Sequence, residues 1–109
     1  MDANDYQQQA LRSALLDRPL NDQLLNAALG LAGEAGEISD IVKKYLFHGH
    51  SLDRDKVIEE LGDLQWYIVL ACVGLGCTLE QVMQGNIDKL LRRYPEKFSF
   101  ERSRNREAS

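Results

Sequence analysis

Two pairs of acidic residues give this sequence its clearest capacity for chemistry. Glu34-Ala35-Gly36-Glu37 and Glu60-Leu61-Gly62-Asp63 each set two carboxylates three positions apart, and on a helix that spacing turns both toward one side. One such pair is an ordinary feature of a solvated helix face. Here the acids do not lie opposite the apolar stripe: Glu34 is seven residues from both Ala27 and Ile41 and shares their azimuth, and Glu60 stands in the same relation to Tyr67. Like charges gathered beside a packed face repel unless a cation compensates them. Gly33, Gly36 and Gly62 flank the acids. A glycine inside a helix costs about 1 kcal/mol relative to alanine, so these three point to close helix approach or to room for a ligand.

Four hard oxygen ligands on two facing helices suit Mg²⁺, with Mn²⁺ as the alternative. The candidate ligands are Glu34, Glu37, Glu60 and Asp63. No histidine sits three residues after any of them, so the pattern is not the Glu-x-x-His pattern of di-iron bundles. Glu37 and Glu60 are the candidates for taking a proton from water. His48 and His50 fall in a glycine-containing break, where a loop role outweighs a phosphate contact.

These acids need helices to hold them, and helical periodicity dominates the chain. A first helix is expected over Tyr6–Leu16, ended by Asp17-Arg18-Pro19, since the residue before proline avoids helical geometry. A long second helix is expected from about Asn21 to Leu46, with Leu24, Ala28, Leu31, Ala35, Ile38 and Val42 along one stripe. The third starts near Asp53, with Ser51 or Asp53 as its cap, and reaches about Gly74 before Gly76 stops it. Thr78-Leu79-Glu80-Gln81 has the form of a capping box. It opens a fourth helix, Leu79–Arg93, which Pro95 closes. The expected fold is all-α and four-helix bundle-like: one domain over residues 1–98 and a polar tail over 99–109. The run Trp66-Tyr67-Ile68-Val69-Leu70 makes the third helix apolar on more than one face, which predicts self-association.

Composition narrows the function classes. With 109 residues, 44% hydrophobic and 28% charged, the chain is expected to be one globular domain with a modest core. A net charge of −4 argues against a nucleic-acid polymer as partner, because phosphate backbones need clustered cations. Residues 1–15 carry no apolar leader, and Leu64–Leu79 is too short and glycine-broken to span a bilayer, so no membrane partner is expected. Cys72 and Cys77 read as small buried hydrophobes in a reducing compartment, and a cytoplasmic location is expected.

Leu31-Ala32-Gly33-Glu34-Ala35-Gly36-Glu37, Glu59-Glu60-Leu61-Gly62-Asp63-Leu64-Gln65-Trp66-Tyr67, and Asn86-Ile87-Asp88-Lys89-Leu90 with Arg93-Tyr94-Pro95 together resemble the MazG-like family of all-α nucleoside triphosphate pyrophosphohydrolases, related to dimeric dUTPases. The resemblance runs in order over about residues 20–98. It implies a homodimer or homotetramer, and Mg²⁺-dependent hydrolysis of a (deoxy)nucleoside triphosphate to the monophosphate and pyrophosphate in nucleotide-pool house-cleaning. It also implies the four acids as metal ligands, and Asn86, Lys89, Arg93 and Tyr94 as substrate contacts. Spacing alone leaves Lys89 and Arg93 open between phosphate binding and a solvated basic face, and Tyr94 and Trp66 open between base stacking and packing. The alternative function is a non-catalytic helical module that binds metal and nucleotide without turnover.

Overall fold

The computed structural model describes residues 1–96 and Arg104, and among these there are four α-helices and no strand. The tail expected over 99–109 lies, apart from Arg104, outside the described residues.

Helix α1 spans Ala3–Ala10, a 3₁₀ turn follows at Leu11–Ser13, and α2 covers Leu20–Phe47, α3 Arg54–Leu75 and α4 Leu79–Arg93. Helix α1 begins earlier than the periodicity suggested because Asp2 and Asp5 form a reciprocal capping box. It also ends earlier than Leu16. The Ser13 hydroxyl donates to the Ala10 carbonyl at 3.0 Å, and the Trp66 indole N–H donates to the same carbonyl at 2.9 Å. That carbonyl is therefore satisfied from outside the ladder, and the helix tightens and stops. Pro19 sits at the N-cap of α2. Asp53, rather than Ser51, caps α3, its side chain accepting from the Lys56 N–H at 3.1 Å. At the other end Gly76 turns left-handed (φ 69°), with Cys77 N–H donating to Cys72 O and Gly76 N–H to Val73 O, a Schellman closure. Thr78 and Gln81 complete the expected capping box of α4.

Helices α2 and α3 form the main packed pair, an antiparallel hairpin that joins Glu34 to Glu60 across its seam. Two glycines let it close. A Cβ on Gly30 would overlap the Tyr67 ring, and one on Gly74 would lie 2.9 Å from the Leu24 backbone nitrogen. Helix α1 is tied to the start of α4, where the Gln7 side chain accepts from Leu79 N–H at 2.8 Å and Asn4 donates to Glu80 at 2.9 Å. Helix α4 leaves α3 at a 99° bend.

The core is small: Ala27, Val69, Leu70, Cys72 and Leu79 are its buried hydrophobics. The Cα radius of gyration, 17.0 Å, exceeds the value of about 13 Å expected of a compact chain of this length. Large apolar side chains remain exposed on α2 (Leu25, Leu29, Leu46) and α4 (Val82, Met83, Ile87, Leu91). The apolar run Trp66–Leu70 on α3, from which self-association was expected, is instead half-buried or buried within the chain. Among the described residues no single helix is long and apolar enough to cross a membrane.

Candidate active site

The α2–α3 seam brings three of the four candidate acids together. Glu34, Glu37 and Glu60 each offer a carboxylate oxygen within 4.8 Å of the others. The i,i+3 spacing puts Glu34 and Glu37 on adjacent turns of α2, and Glu60 enters from the facing helix. Glu60 is only 2% exposed, Glu34 is half-buried and Glu37 is exposed. Asp63 stands outside the trio, one turn further along α3. It lies near enough to hold the carboxyls of Glu34 and Glu37 up, and to raise Tyr6 on α1 after the larger effect of burial.

The trio is short of positive charge. Glu34 Oε2 and Glu60 Oε2 are buried and have no hydrogen-bond partner. Ionised carboxylates only accept, so two of them side by side leave acceptors with no donor. Adding one proton to Glu34 supplies that donor, toward Glu60. This hydrogen bond is the largest cause that lifts Glu34 from 4.5 to about 7, followed by burial and the charges of Glu60, Glu37 and Asp63. Glu37 is raised for a similar reason. Glu60 is lowered, because Glu34 and then Lys56 donate to it.

Lys56, which sequence pattern did not single out, brings a cation to the trio. Its Nζ lies 3.1 Å from Glu60 Oε1 and 3.7 Å from Glu59 Oε2. The one available signal was its place four residues before Glu60, on the same helix face. Asp40, also in this region, is already engaged by Lys44 at 2.9 Å and Lys43 at 3.7 Å; hydrogen bonding from Lys44 holds its carboxyl low.

A cleft of about 410 Å³ opens beside Glu37 and Glu60, lined also by Gly33, Gly36, Asp40, Ile41 and Lys56; Glu34 does not line it. Nothing lies within 4 Å of a Cβ built on Gly33, Gly36 or Gly62. Close helix approach therefore does not explain these three glycines; Gly33 and Gly36 line the cleft, and Gly62 does not.

The donor set fits a divalent cation. Carboxylate oxygens bound to one Mg²⁺ lie about 2.1 Å from it and so at most about 4.2 Å apart. The observed spread within 4.8 Å needs only small rotamer adjustments to close. Glu34 and Glu60 each also carry a buried oxygen with no hydrogen-bond partner. Glu34, Glu37 and Glu60 are the residues placed to hold such an ion.

A second cavity, about 480 Å³, lies between the α1–α2 connection and the hairpin, lined by Arg18, Asp22, Gln23, Asn26 and Trp66 among others. Its walls are held. Buried Gln23 donates to the Leu15 carbonyl at 2.6 Å, and the Trp66 indole N–H also reaches Ser13 Oγ at 3.0 Å. Trp66 meets Tyr67 edge-to-face, with ring centroids 5.1 Å apart. On α2, Asn26 and Glu37 lie close in azimuth, which sets both cavities on one side of the hairpin.

The expected substrate residues lie elsewhere. Asn86 is exposed and Lys89, Arg93 and Tyr94 are half-buried, all on α4 or at its end. None of them lines the cleft beside Glu37 and Glu60. Glu60 is about 24 Å by helix rise from the Gly76 turn at which α4 departs, so a single chain does not bring this block to its own acids. His48 and His50 sit exposed after α2 and do not line the cleft. Cys72 is buried, and burial pushes its thiol up to about 11, as expected of an inert packing cysteine.

A family model described as MazG nucleotide pyrophosphohydrolase domain matches residues 23–98, which contain all four acids and the Asn86–Tyr94 block. The Gene 37 protein of Mycobacterium phage L5 is 41% identical over 66 residues, covering 57% of this chain and 58% of that protein. The chain thus matches somewhat over half the length of this relative. No solved structure matches.

Proposed function

Because the chain belongs to the MazG nucleotide pyrophosphohydrolase domain family, we propose that it hydrolyses a (deoxy)nucleoside triphosphate to the monophosphate and pyrophosphate, with magnesium held by Glu34, Glu37 and Glu60 and supported by Asp63. The observation that carries this reading is the pair of buried, unpartnered carboxylate oxygens on Glu34 and Glu60, brought together from two helices beside Glu37. When bound, magnesium acidifies a coordinated water and neutralises triphosphate oxygens.

The residues of the chain divide the remaining work. Glu60, buried in the seam, is the fixed anchor. Glu34, its carboxyl raised to about 7 chiefly by hydrogen bonding to Glu60, shares a proton with that neighbour near neutral pH, and a bound cation would replace the proton. Glu37, exposed at the cleft mouth, has the freedom to accept a proton from the attacking water. The water oxygen joins the α-phosphorus, the bond from that phosphorus to the bridging oxygen breaks, and pyrophosphate leaves. The nucleoside end extends toward the second cavity, where the amides of Gln23 and Asn26 and the Trp66 ring offer hydrogen bonds and an apolar wall. A homodimer or homotetramer belongs to the same proposal, since it covers the exposed apolar faces of α2 and α4 and lets Asn86, Lys89, Arg93 and Tyr94 of one copy approach the acids of another.

The test is turnover of a nucleotide panel with Mg²⁺ in ¹⁸O-water. Pyrophosphate release with the label in the nucleoside monophosphate supports α-phosphorus attack. Label in the pyrophosphate, or release of orthophosphate, refutes it. Thermal stabilisation by nucleotide plus Mg²⁺ with no turnover would favour the non-catalytic binding module.

A further inference from the structure

Lys56 occupies a place that local helix energetics disfavours. It is the third residue of α3, in the first turn, where the helix macrodipole is positive and favours acids. Arg54 shares that turn, and positions that break a local rule are functional or strained ones; Lys56 is set apart by the carboxylate it meets. Its ammonium lies 3.1 Å from Glu60 Oε1 and lines the same cleft as Glu37, while the other Glu60 oxygen is buried without a partner. The lysine side chain remains 46% exposed, so it can swing outward, whereas Glu60 cannot move from the seam. A small divalent cation and this ammonium want the same carboxylate.

We infer that Lys56 is a two-position cation: it neutralises Glu60 while the acids hold no metal, yields Glu60 to the incoming divalent ion, and then grips the polyphosphate of the substrate at the cleft mouth. The inference rests on the pyrophosphohydrolase reading for the identity of the polyphosphate, but its metal arm stands without it. Displacement by the ion leaves the ammonium within a side chain's reach of the cleft, held there by Glu59 at 3.7 Å. Phosphate oxygens carried in with the metal offer it a stronger partner than a solvated carboxylate. Before metal arrives, the lysine charge limits repulsion among Glu34, Glu37 and Glu60, so the hairpin closes without an ion.

The two roles have opposite signs in a Lys56→Met variant, which a merely structural lysine would not give. Binding of Mg²⁺ alone, measured by calorimetry at pH 8.5 so that the Glu34 carboxyl is ionised, should tighten about two- to five-fold, the size expected when a half-exposed ion pair no longer competes. Binding of inorganic pyrophosphate in saturating Mg²⁺ should weaken at least about five-fold. Lys56→Arg should restore both values toward wild type. Mg²⁺ binding that is unchanged or weaker in Lys56→Met overturns the placeholder role, and unchanged pyrophosphate binding overturns the phosphate role. Tighter Mg²⁺ binding in a protein that turns over no nucleotide would leave the placeholder role standing and remove the pyrophosphohydrolase reading. Circular dichroism of both variants checks the fold, which the Asp53 side chain caps through the Lys56 backbone whatever side chain is present.

Discussion

Replacing Gly30 by alanine tests whether the acid site depends on close approach of α2 and α3. A Cβ at Gly30 falls on the Tyr67 ring, overlapping Cε1, Cδ1 and Cζ. The ring cannot simply rotate aside, because Trp66 abuts it edge-on at 5.1 Å and the Trp66 indole is itself pinned to Ala10 and Ser13. Overpacking of this kind costs about 1–3 kcal/mol, and the helix-propensity gain of alanine over glycine returns about 1 kcal/mol. Gly62→Ala supplies the reference. It is also inside a helix, but nothing lies within 4 Å of its Cβ, so it should gain the propensity term alone. The two alanine variants should therefore differ by about 1–3 kcal/mol, whatever the exact propensity. In thermal melts at one fixed protein concentration that is a Tm gap of roughly 4 °C or more. Gly30 is one turn from Glu34, so Gly30→Ala should also lose most of the Mg²⁺-induced rise in Tm, while Gly62→Ala keeps it. Equal stabilities and equal Mg²⁺ responses would refute the tight seam as the device that assembles the site.

Three further outcomes follow from the same structure. The folded protein retains a proton on Glu34 up to about pH 7 that the unfolded chain releases near pH 4.5, so folding stability without metal should fall as pH rises through that window. Mg²⁺ binding should strengthen across the same window and release a proton; calorimetry in buffers of different ionisation enthalpy reads this, and proton-neutral binding at pH 6 would contradict it. The exposed Leu25, Leu29, Met83, Ile87 and Leu91 predict self-association, which sedimentation velocity at micromolar concentration measures; a monomer there would contradict it.

Much of this was legible in the sequence because it is local. The Thr78–Gln81 box, the Gly76 stop and the four helices follow from capping chemistry and 3.6-residue periodicity, which act within a few residues. The pairing of Glu34 and Glu37 with Glu60 was legible too, since acids on the azimuth of an apolar stripe must meet whatever that stripe packs against. Less legible were features set by contacts between distant segments. The early end of α1 depends on Trp66 reaching across to the Ala10 carbonyl. The role of Lys56 depends on which Glu60 oxygen faces it, and Asp63 stands off the trio although it shares the i,i+3 spacing with Glu60. Nor could periodicity show that α4 bends away by 99° and carries Asn86, Lys89, Arg93 and Tyr94 away from the acids of its own chain. Spacing fixes azimuth within one helix, not the angle between two.

The most direct test of the central claim compares wild type with Glu60→Gln for Mg²⁺-dependent release of pyrophosphate from nucleoside triphosphates. Glutamine keeps the size of the buried side chain but removes the anionic oxygen in the seam. Turnover should fall by about 100-fold or more, as when a group that stabilises a transition state is lost. Helical circular dichroism and metal-free Tm should stay at or above wild type. A Glu60→Gln enzyme that releases pyrophosphate at the wild-type rate would contradict the assignment of this site.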